Sequence, residues 1–370
     1  MGIWDSQGRW CDEKDSIVQA VIDYFNSIYT TTSPSRIDEV IVAIPTQVTE
    51  DMKESLNRCF TREEVTIALK QIHSIKAPGL DGMSAVFYQK YWSIVGCSIT
   101  NMVLNVLNSD MSPACLNKTN IALIPKVHNP KKMFDFCPIS LCNVVYKLIS
   151  KTITNRFKAI FPHIILENQS AFTSDRLITD NVLVAFELMH FLNHKNAGND
   201  GFMAAKLDMS KAFDRVEWGF IQGVMEKLGF SSRWVNLVMK CITLISYSVI
   251  INGVACGNIM PTRGLRQGDP LSPTLFLICT EGLSALINEA ARNLRLTGIS
   301  ICRGCPRVTH LLFADDSILF YKASAGESRE LKYLLQKYED ASGQKINIDK
   351  SSIFFSPILL LKSRRRSLLP

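Results

Sequence analysis

Two adjacent aspartates, Asp315 and Asp316, sit inside HLLFADDSILFYK (residues 310 to 322), a run that otherwise reads as β-strand. The apolar arms, Leu311 to Phe313 and Ile318 to Tyr321, predict two antiparallel strands joined tightly through Ala314, Asp315 and Asp316. Like charges at a hairpin tip can face water, since Asp-Asp is an ordinary turn pair, or they can bind divalent cations that offset their repulsion. A second carboxylate site bears on that choice: Asp208 closes the strand-like FMAAKLD, ahead of the turn MSKAFD. Alone it reads equally as a strand-end residue capping that turn. A strand end beside a hairpin tip would gather all three carboxylates. Hard oxygen ligands of this kind suit Mg²⁺, and paired ions stabilise the attacking and leaving oxygens of phosphoryl transfer.

The elements that must position these groups follow from periodicity and punctuation. The chain up to about residue 115 reads as mainly helical; TREEVTIALKQI opens with a capping box, Thr61 and Glu64, and continues with Val65, Leu69 and Ile72 at helical spacing. KAPGLDGMSAVFYQKYW is an ordered loop built on Pro78, Gly79, Asp81 and Gly82, leading into an aromatic helix. NIALIPK predicts a strand ending at Pro125 and Lys126, and SLCNVVYKLISKTITNRFKAIF a long amphipathic helix. RVEWGFIQGVMEKLGF predicts a helix stopped at Gly229, and SYSVIINGVACGNI two strands around Asn252-Gly253, the dipeptide suited to a type I′ turn. TRGLRQGDPLSP leads to a helix from near Thr274, and SRELKYLLQKYEDASG puts Leu331, Leu334, Leu335 and Tyr338 on one face, with Gly343 past its end. Helices and strands intermingle without a βαβ repeat, which predicts an α+β fold.

Composition bounds the reading further. With 370 residues, 47% hydrophobic and 20% charged, the chain is globular. The best apolar run, PTLFLICTEGLSALI, is interrupted by Glu281, and the first residues lack the layout of a secretory signal. Lys362, Arg364, Arg365 and Arg366 supply four of the seven net positive charges, so overall basicity says little about a nucleic-acid partner. Eleven scattered cysteines suit reduced, buried thiols in an intracellular protein. The spacings Cys302/Cys305 and His190/His194 lack a second ligand pair nearby, so ordinary core or surface roles are expected.

KLDMSKAFDRVEW, GLRQGDPLSP, HLLFADDSILF and ASGQKINIDKSS follow one another in the order of the palm motifs of reverse transcriptases. Together with KAPGLDGM, IALIPK and LITDNVLVAFELMH, they make the chain resemble a plant LINE-type (non-LTR) retrotransposon reverse transcriptase from about residue 2 to Ser356. The resemblance implies an α+β right-hand polymerase fold of fingers and palm, with the thumb largely absent. It divides the chain into a helical region (1–115) linking to the fingers, a fingers and palm domain (116–356) and an atypical basic tail (357–370). The activity implied is RNA-directed DNA polymerisation by two-metal nucleotidyl transfer, using Mg²⁺ with Mn²⁺ as a substitute. The implied partners are an RNA template with a DNA primer and deoxynucleoside triphosphates, with no membrane.

By the same resemblance, Asp208, Asp315 and Asp316 are the catalytic metal ligands. Phe213 lies under the incoming sugar and excludes a 2′ hydroxyl, with core packing as its bland alternative. Gln267 and Gly268 contact template and nucleotide, and Arg176, which follows a turn, binds nucleotide or template. Lys350, with Lys345 as its nearby substitute, steadies the leaving pyrophosphate, and Lys126 neutralises triphosphate.

The sequence also departs from the family. Cys137 stands in FCPISL where the family has arginine, and a thiol supplies neither that charge nor its fork of donors. Thr173, Ser174 and Asp175 replace Val, Pro and Gly, and Leu80 replaces a proline. The family's amino-terminal endonuclease is expected to lie outside this chain, which is also expected to stop where a thumb would begin. KSRRRS suits phosphate contact or nuclear import, although charge runs are usually solvated. The rival reading is a catalytically impaired remnant that holds RNA without copying it.

Overall fold

Short elements separated by glycine, proline and cap residues build the chain, whose computed structural model describes residues 2–109, 111–173, 176–196 and 200–359. Ser174, Asp175 and the KSRRRS tail lie outside the described residues.

A small ribbon, β1 (Ile3–Trp4) and β2 (Trp10–Cys11), precedes α1 (Lys14–Tyr29), α2 (Ile37–Ile41), α3 (Glu50–Asn57), α4 (Arg62–Gln71), α5 (Ala85–Lys90) and α6 (Trp92–Asn108). The capping box of α4 is formed: Glu64 N–H donates to the Thr61 hydroxyl, and Thr61 N–H to the Glu64 carboxylate, while Val65, Leu69 and Ile72 are buried. Next come β3 (Lys118–Pro125), β4 (Phe136–Leu141), α7 (Val144–Ile164) and α8 (Ile178–His194). SLC is thus the end of a strand and its exit, not the start of a helix. Helix α7 is buried nearly all round, including Lys147, Ser150, Thr152 and Thr154, instead of amphipathic.

The remaining elements are β5 (Phe202–Leu207), α9 (Trp218–Leu228), α10 (Ser232–Thr243), β6 (Ser246–Ile251), β7 (Val254–Ile259), α11 (Leu271–Arg292), β8 (His310–Phe313), β9 (Asp316–Lys322), α12 (Ala325–Ser342) and β10 (Ser352–Phe355). Asn252 (φ +49°) and Gly253 (φ +81°) make the left-handed pair that a type I′ turn requires between β6 and β7. Helix α11 begins at Leu271, ahead of Thr274, because the Asp269 carboxylate accepts the Leu271 N–H at 3.0 Å. It is long and apolar enough to cross a membrane by length and composition, yet 83% of that apolar window is buried inside the protein.

Among the described residues, two four-stranded sheets form the frame. One, ordered β10-β5-β9-β8, is antiparallel throughout; the other, ordered β4-β3-β6-β7, pairs β3 with β6 in parallel and its other neighbours antiparallel. The largest apolar core runs without a break from Val40 and Val65 through α7, α9 and α11 to Tyr338 on α12. The helical region before residue 115 therefore shares its core with the sheets and helices that come after it. Cys302 and Cys305 are joined as a disulfide, and Cys59, Cys97 and Cys115 are exposed, which corrects the expectation of reduced, buried thiols throughout.

Candidate active site

Strand β5 lies between β10 and β9, and the last registered pair with β9 is Leu207 with Ser317. One residue further along both chains stand Asp208 and Asp316, so the sheet brings the strand end to the hairpin. The β8–β9 turn consists of Ala314 and Asp315, with Ala314 held at φ +52°; Asp316 already belongs to β9. Asp208 and Asp315 line one pocket of about 170 Å³. Desolvation raises the Asp315 carboxyl above the ordinary aspartate range even at this open tip, and the charges of Asp316 and Asp208 add to the rise. Asp316 leans instead toward Lys206 on β5, Nζ to Oδ1 3.8 Å.

The segment after α12 returns alongside Asp208. Asn347 donates its backbone N–H to the Asp208 carbonyl at 2.8 Å and its side-chain Nδ2 to Asp208 Oδ2 at 3.0 Å. Ser210 N–H donates to the Lys345 carbonyl, and the Lys345 ammonium is drawn to Glu339 at 3.2 Å. Lys350 is exposed and lines the pocket, so Lys345 is not its substitute there. Across the pocket, Lys126 lies 5.2 Å from the Phe134 ring centroid and Lys211 lies 5.9 Å from the same ring. Burial lowers the pKa of Lys211, and Lys126 and Arg215 lower it further.

The loop between β7 and α11 closes the floor. Arg266 is buried, paired with Asp269 at 2.7 Å, hydrogen-bonded to Asn117 and stacked 4.0 Å from the Tyr146 ring centroid, which pins RQGD in place. Gln267 next to it lines the pocket; its side-chain oxygen accepts from Cys137 Sγ at 3.6 Å, and its backbone carbonyl accepts from Ser140 N–H at 2.9 Å. Gly268, with φ +106°, faces a neighbouring groove and not this pocket. Phe213 is half-buried on the pocket wall, its ring stacked 4.6 Å from that of Phe276 in α11, so it serves wall and core together. Behind it, Asp214 is 2% exposed and its carboxyl is pushed up to about 6 by burial, opposed by Lys211, Arg215, Lys126 and a hydrogen bond with Gln267.

Arg176 is a correction. Its guanidinium donates to the carbonyls of Ile165, Leu166 and Gln169 at 2.7, 2.6 and 2.6 Å, capping the end of α7 away from the pocket. Sequence reasoning missed Gln169. Its buried Oε1 accepts from Ala171 N–H at 2.9 Å and from Ala314 N–H at 3.1 Å, tying the aspartate hairpin to the segment after α7. Asn347, Lys211 and Asp214 were missed as well, although all sit inside the motif strings INIDK and MSKAFD.

As to divalent ions, three carboxylates that repel one another at one end of a sheet fit a cation in charge and donor chemistry. Among the described residues, however, no three Asp, Glu, His or Cys side chains are gathered closely enough to hold an ion ready-made. The lean of Asp316 toward Lys206 leaves Asp208 and Asp315 as the pair facing the pocket.

A family model described as reverse transcriptase (RNA-dependent DNA polymerase) matches residues 127–366. The chain is 27% identical over 354 residues to the transposon TX1 uncharacterized 149 kDa protein of Xenopus laevis, covering 95% of this chain and 26% of that protein. It is 26% identical over 337 residues to the retrovirus-related Pol polyprotein from type-2 retrotransposable element R2DM of Drosophila melanogaster, covering 90% of this chain and 29% of that protein. A stretch of 68 residues is 57% identical to the uncharacterized mitochondrial protein AtMg01250 of Arabidopsis thaliana, covering 18% of this chain and 56% of that protein. The chain thus spans between 26% and 29% of the two long relatives. By the family match, which takes in more than half of its residues, the chain belongs to the reverse transcriptases, the RNA-dependent DNA polymerases, alongside those of non-LTR retrotransposable elements.

Proposed function

We propose that the pocket is the nucleotidyl-transfer site of an RNA-directed DNA polymerase, with the β5 sheet as palm and the β3 sheet as fingers. One observation carries this reading: Asp208 and Asp315 face a pocket that Lys126, Lys211 and Lys350 also line. Carboxylates on one side and ammonium groups on the other suit a nucleoside triphosphate whose phosphates must be held while a hydroxyl attacks.

Reverse transcriptases generally use divalent metal ions; here Asp208, Asp315 and Asp316 would hold Mg²⁺, or Mn²⁺ in its stead, supplying activation of a primer 3′ hydroxyl and neutralisation of phosphate charge. The chain's own residues do the rest. Asn347 fixes the Asp208 carboxylate, Gln169 fixes the hairpin tip, and Lys126, Lys211 and Lys350 orient the triphosphate and steady the departing pyrophosphate. Phe213 and Gln267 line the pocket, which supports a flat ring that would exclude a 2′ hydroxyl and an amide that would meet the template. The substrates are a primed RNA template and deoxynucleoside triphosphates, and the identity to AtMg01250 of Arabidopsis supports a plant element as the source.

Cys137 favours a second reading, an RNA-holding remnant, because a thiol at the pocket wall lacks the charge of the family's arginine. The test is incorporation of labelled deoxynucleotide on primed poly(rA) with Mg²⁺, beside Asp315→Ala and Cys137→Arg. Synthesis abolished by Asp315→Ala establishes the polymerase. Recovery only in Cys137→Arg marks a polymerase disabled at its fingers; silence from all three folded proteins supports the remnant.

A further inference from the structure

Between α11 and β8 the chain makes a turn, CRGC, that takes no part in the pocket. Cys302 and Cys305 are joined there as a disulfide, Cα to Cα 5.4 Å, and the Cys305 N–H donates to the Cys302 carbonyl at 3.2 Å. Gly304 supplies the φ of +88° on which this turn is built. The Ser300 hydroxyl lies 2.8 Å from the Cys302 carbonyl and 2.9 Å from that of Cys305, so the ring is held from its base. The nine other cysteines are free.

Two observations mark this bridge as one that opens and closes. Cys302 is exposed and the two cysteines are only three positions apart, so the bridge can be attacked from solvent and closes too short a loop to add much stability. Exposed bridges of this kind are the readily exchanged ones. The second observation is charge: Arg303 lies inside the turn, Arg307 donates to the Thr297 carbonyl at 3.2 Å just below it, and the sequence has no acid between Glu289 and Asp315. Cations beside a cysteine favour the thiolate, the form that exchanges.

The turn is fastened to the strand that leads to the aspartate hairpin. Below it, Ile299 and Val308 exchange both backbone hydrogen bonds, at 2.9 and 2.8 Å. Ile299 is fully buried in a small apolar cluster with Leu188 and Leu192 of α8, Leu311 of β8 and Phe320 of β9. A Cβ on Gly298 would fall 2.8 Å from the Val308 carbonyl, so the two arms meet closely. Strand β8 begins two residues after Val308 and ends against Ala314 and Asp315.

We propose that Cys302 and Cys305 are a reversible thiol–disulfide site for small disulfides, whose closed state clamps the entry to β8 and so steadies the hairpin of Asp315. In closing, the Cys302 thiolate attacks one sulfur of a disulfide RSSR and releases RS⁻. The Cys305 thiolate then attacks Cys302 Sγ in the mixed disulfide and releases the second RS⁻. The pair loses two electrons, RSSR gains them, and the two thiol protons pass to the two RSH formed. Opening is the reverse, with RSH as the reductant. The site is independent of the polymerase reading, and its test uses neither template nor nucleotide.

The probe is glutathione. The chain is equilibrated at graded ratios of oxidised to reduced glutathione and quenched by alkylation, and the peptide bearing both cysteines is weighed by mass spectrometry. Amide hydrogen exchange is followed at the same ratios. The pair should pass between dithiol and bridge across these ratios, while Cys59, Cys97 and Cys115, exposed and without a partner cysteine, take up at most one glutathione each. The amides of Val308, Leu312 and Ala314, each a hydrogen-bond donor in the fold, should exchange about tenfold faster in the dithiol form. Cys302→Ser/Cys305→Ser should exchange at the dithiol rate at every ratio. Should that variant not fold, the unmutated chain held in reduced glutathione gives the same comparison. A pair that stays dithiol in excess oxidised glutathione, ends as two mixed disulfides, or keeps its bridge in excess reduced glutathione would overturn the site. A change in exchange that stops at Val308 would overturn the link to the hairpin.

Discussion

At the scale of single residues, the site depends on side chains whose protonation and hydrogen bonds are set by burial. Asp214 has a carboxyl raised from the ordinary 3.8 to about 6 in the folded state, first by burial. The folded chain therefore binds this proton more tightly than the unfolded chain. The contribution to stability is fully present below about pH 4 and is lost as pH rises through 6. Asp214→Asn removes the dependence, so the variant should gain up to about 3 kcal/mol over the parent at pH 7.5 and nothing at pH 3.5, read by urea unfolding. A variant that instead loses stability at pH 7.5 would show an ionised Asp214 held by Lys211. Gln169 is the second case. Gln169→Leu leaves the Ala171 and Ala314 N–H groups without their acceptor and should cost about 2 kcal/mol, whereas Gln169→Glu keeps an acceptor there and should retain most of the stability and any incorporation rate. Asp208 and Asp315 were legible from the strand pattern as a strand end and a hairpin tip, and Lys126 and Lys350 only through motifs that resemble the family's. Gln169 was not: its hydrogen bond to Ala314 spans 145 positions and exists only once α7 and the hairpin are packed.

At the scale of elements, glycines and caps explain where the chain turns and why substitutions there differ in cost. In KAPGLDG, Gly82 N–H donates to the Gly79 carbonyl, closing a turn with Leu80 in its second position. A Cβ on Gly79 would fall 2.2 Å from Asn143 Oδ1 and 2.4 Å from Asn143 N, because the loop lies directly on the start of α7. Gly79→Ala must therefore push the loop off that helix and should cost about 1–3 kcal/mol, seen as a lower melting temperature and faster proteolysis near the loop. Leu80 is 49% exposed, and proline is favoured at that turn position, so Leu80→Pro should be neutral or stabilising by about 0.5 kcal/mol. The family's proline is thus a local preference that this chain can lose without losing the loop. Turn chemistry of this kind was readable from sequence, as the Asn252-Gly253 hairpin and the Gly229 and Gly343 helix ends illustrate. The extent of α7 burial was not, because its Lys147, Thr152 and Thr154 look like a polar face until neighbouring helices cover them.

At the scale of the molecule, the stretch that matches the family does not coincide with the unit that folds. The match begins at residue 127, after β3 has ended at Pro125. Yet β3 stands between β4 and β6, paired with β4 through six residues and with β6 through five. Helix α1 covers the same sheet: Phe25 and Tyr29 pack with Tyr247, Val249 and Ile259 in one apolar cluster. The chain just beyond α1 also closes a buried charge. Glu217 accepts from the Thr31 and Thr32 hydroxyls and pairs with Arg263 at 3.2 Å. A chain trimmed to residues 127–359 would lose the middle of that sheet, uncover Tyr247 and Val249, and strip hydroxyl partners from a buried ion pair whose isolation is costly. It should show no cooperative thermal transition and should bind a hydrophobic dye. The chain of residues 2–359 should melt in one sharp step, because its principal core runs unbroken from Val40 to Ala341. A sharp transition in the trimmed chain would mean that the β5 sheet, with α7, α9, α11 and α12, is stable by itself, and that the amino-terminal helices add to a fold that does not need them.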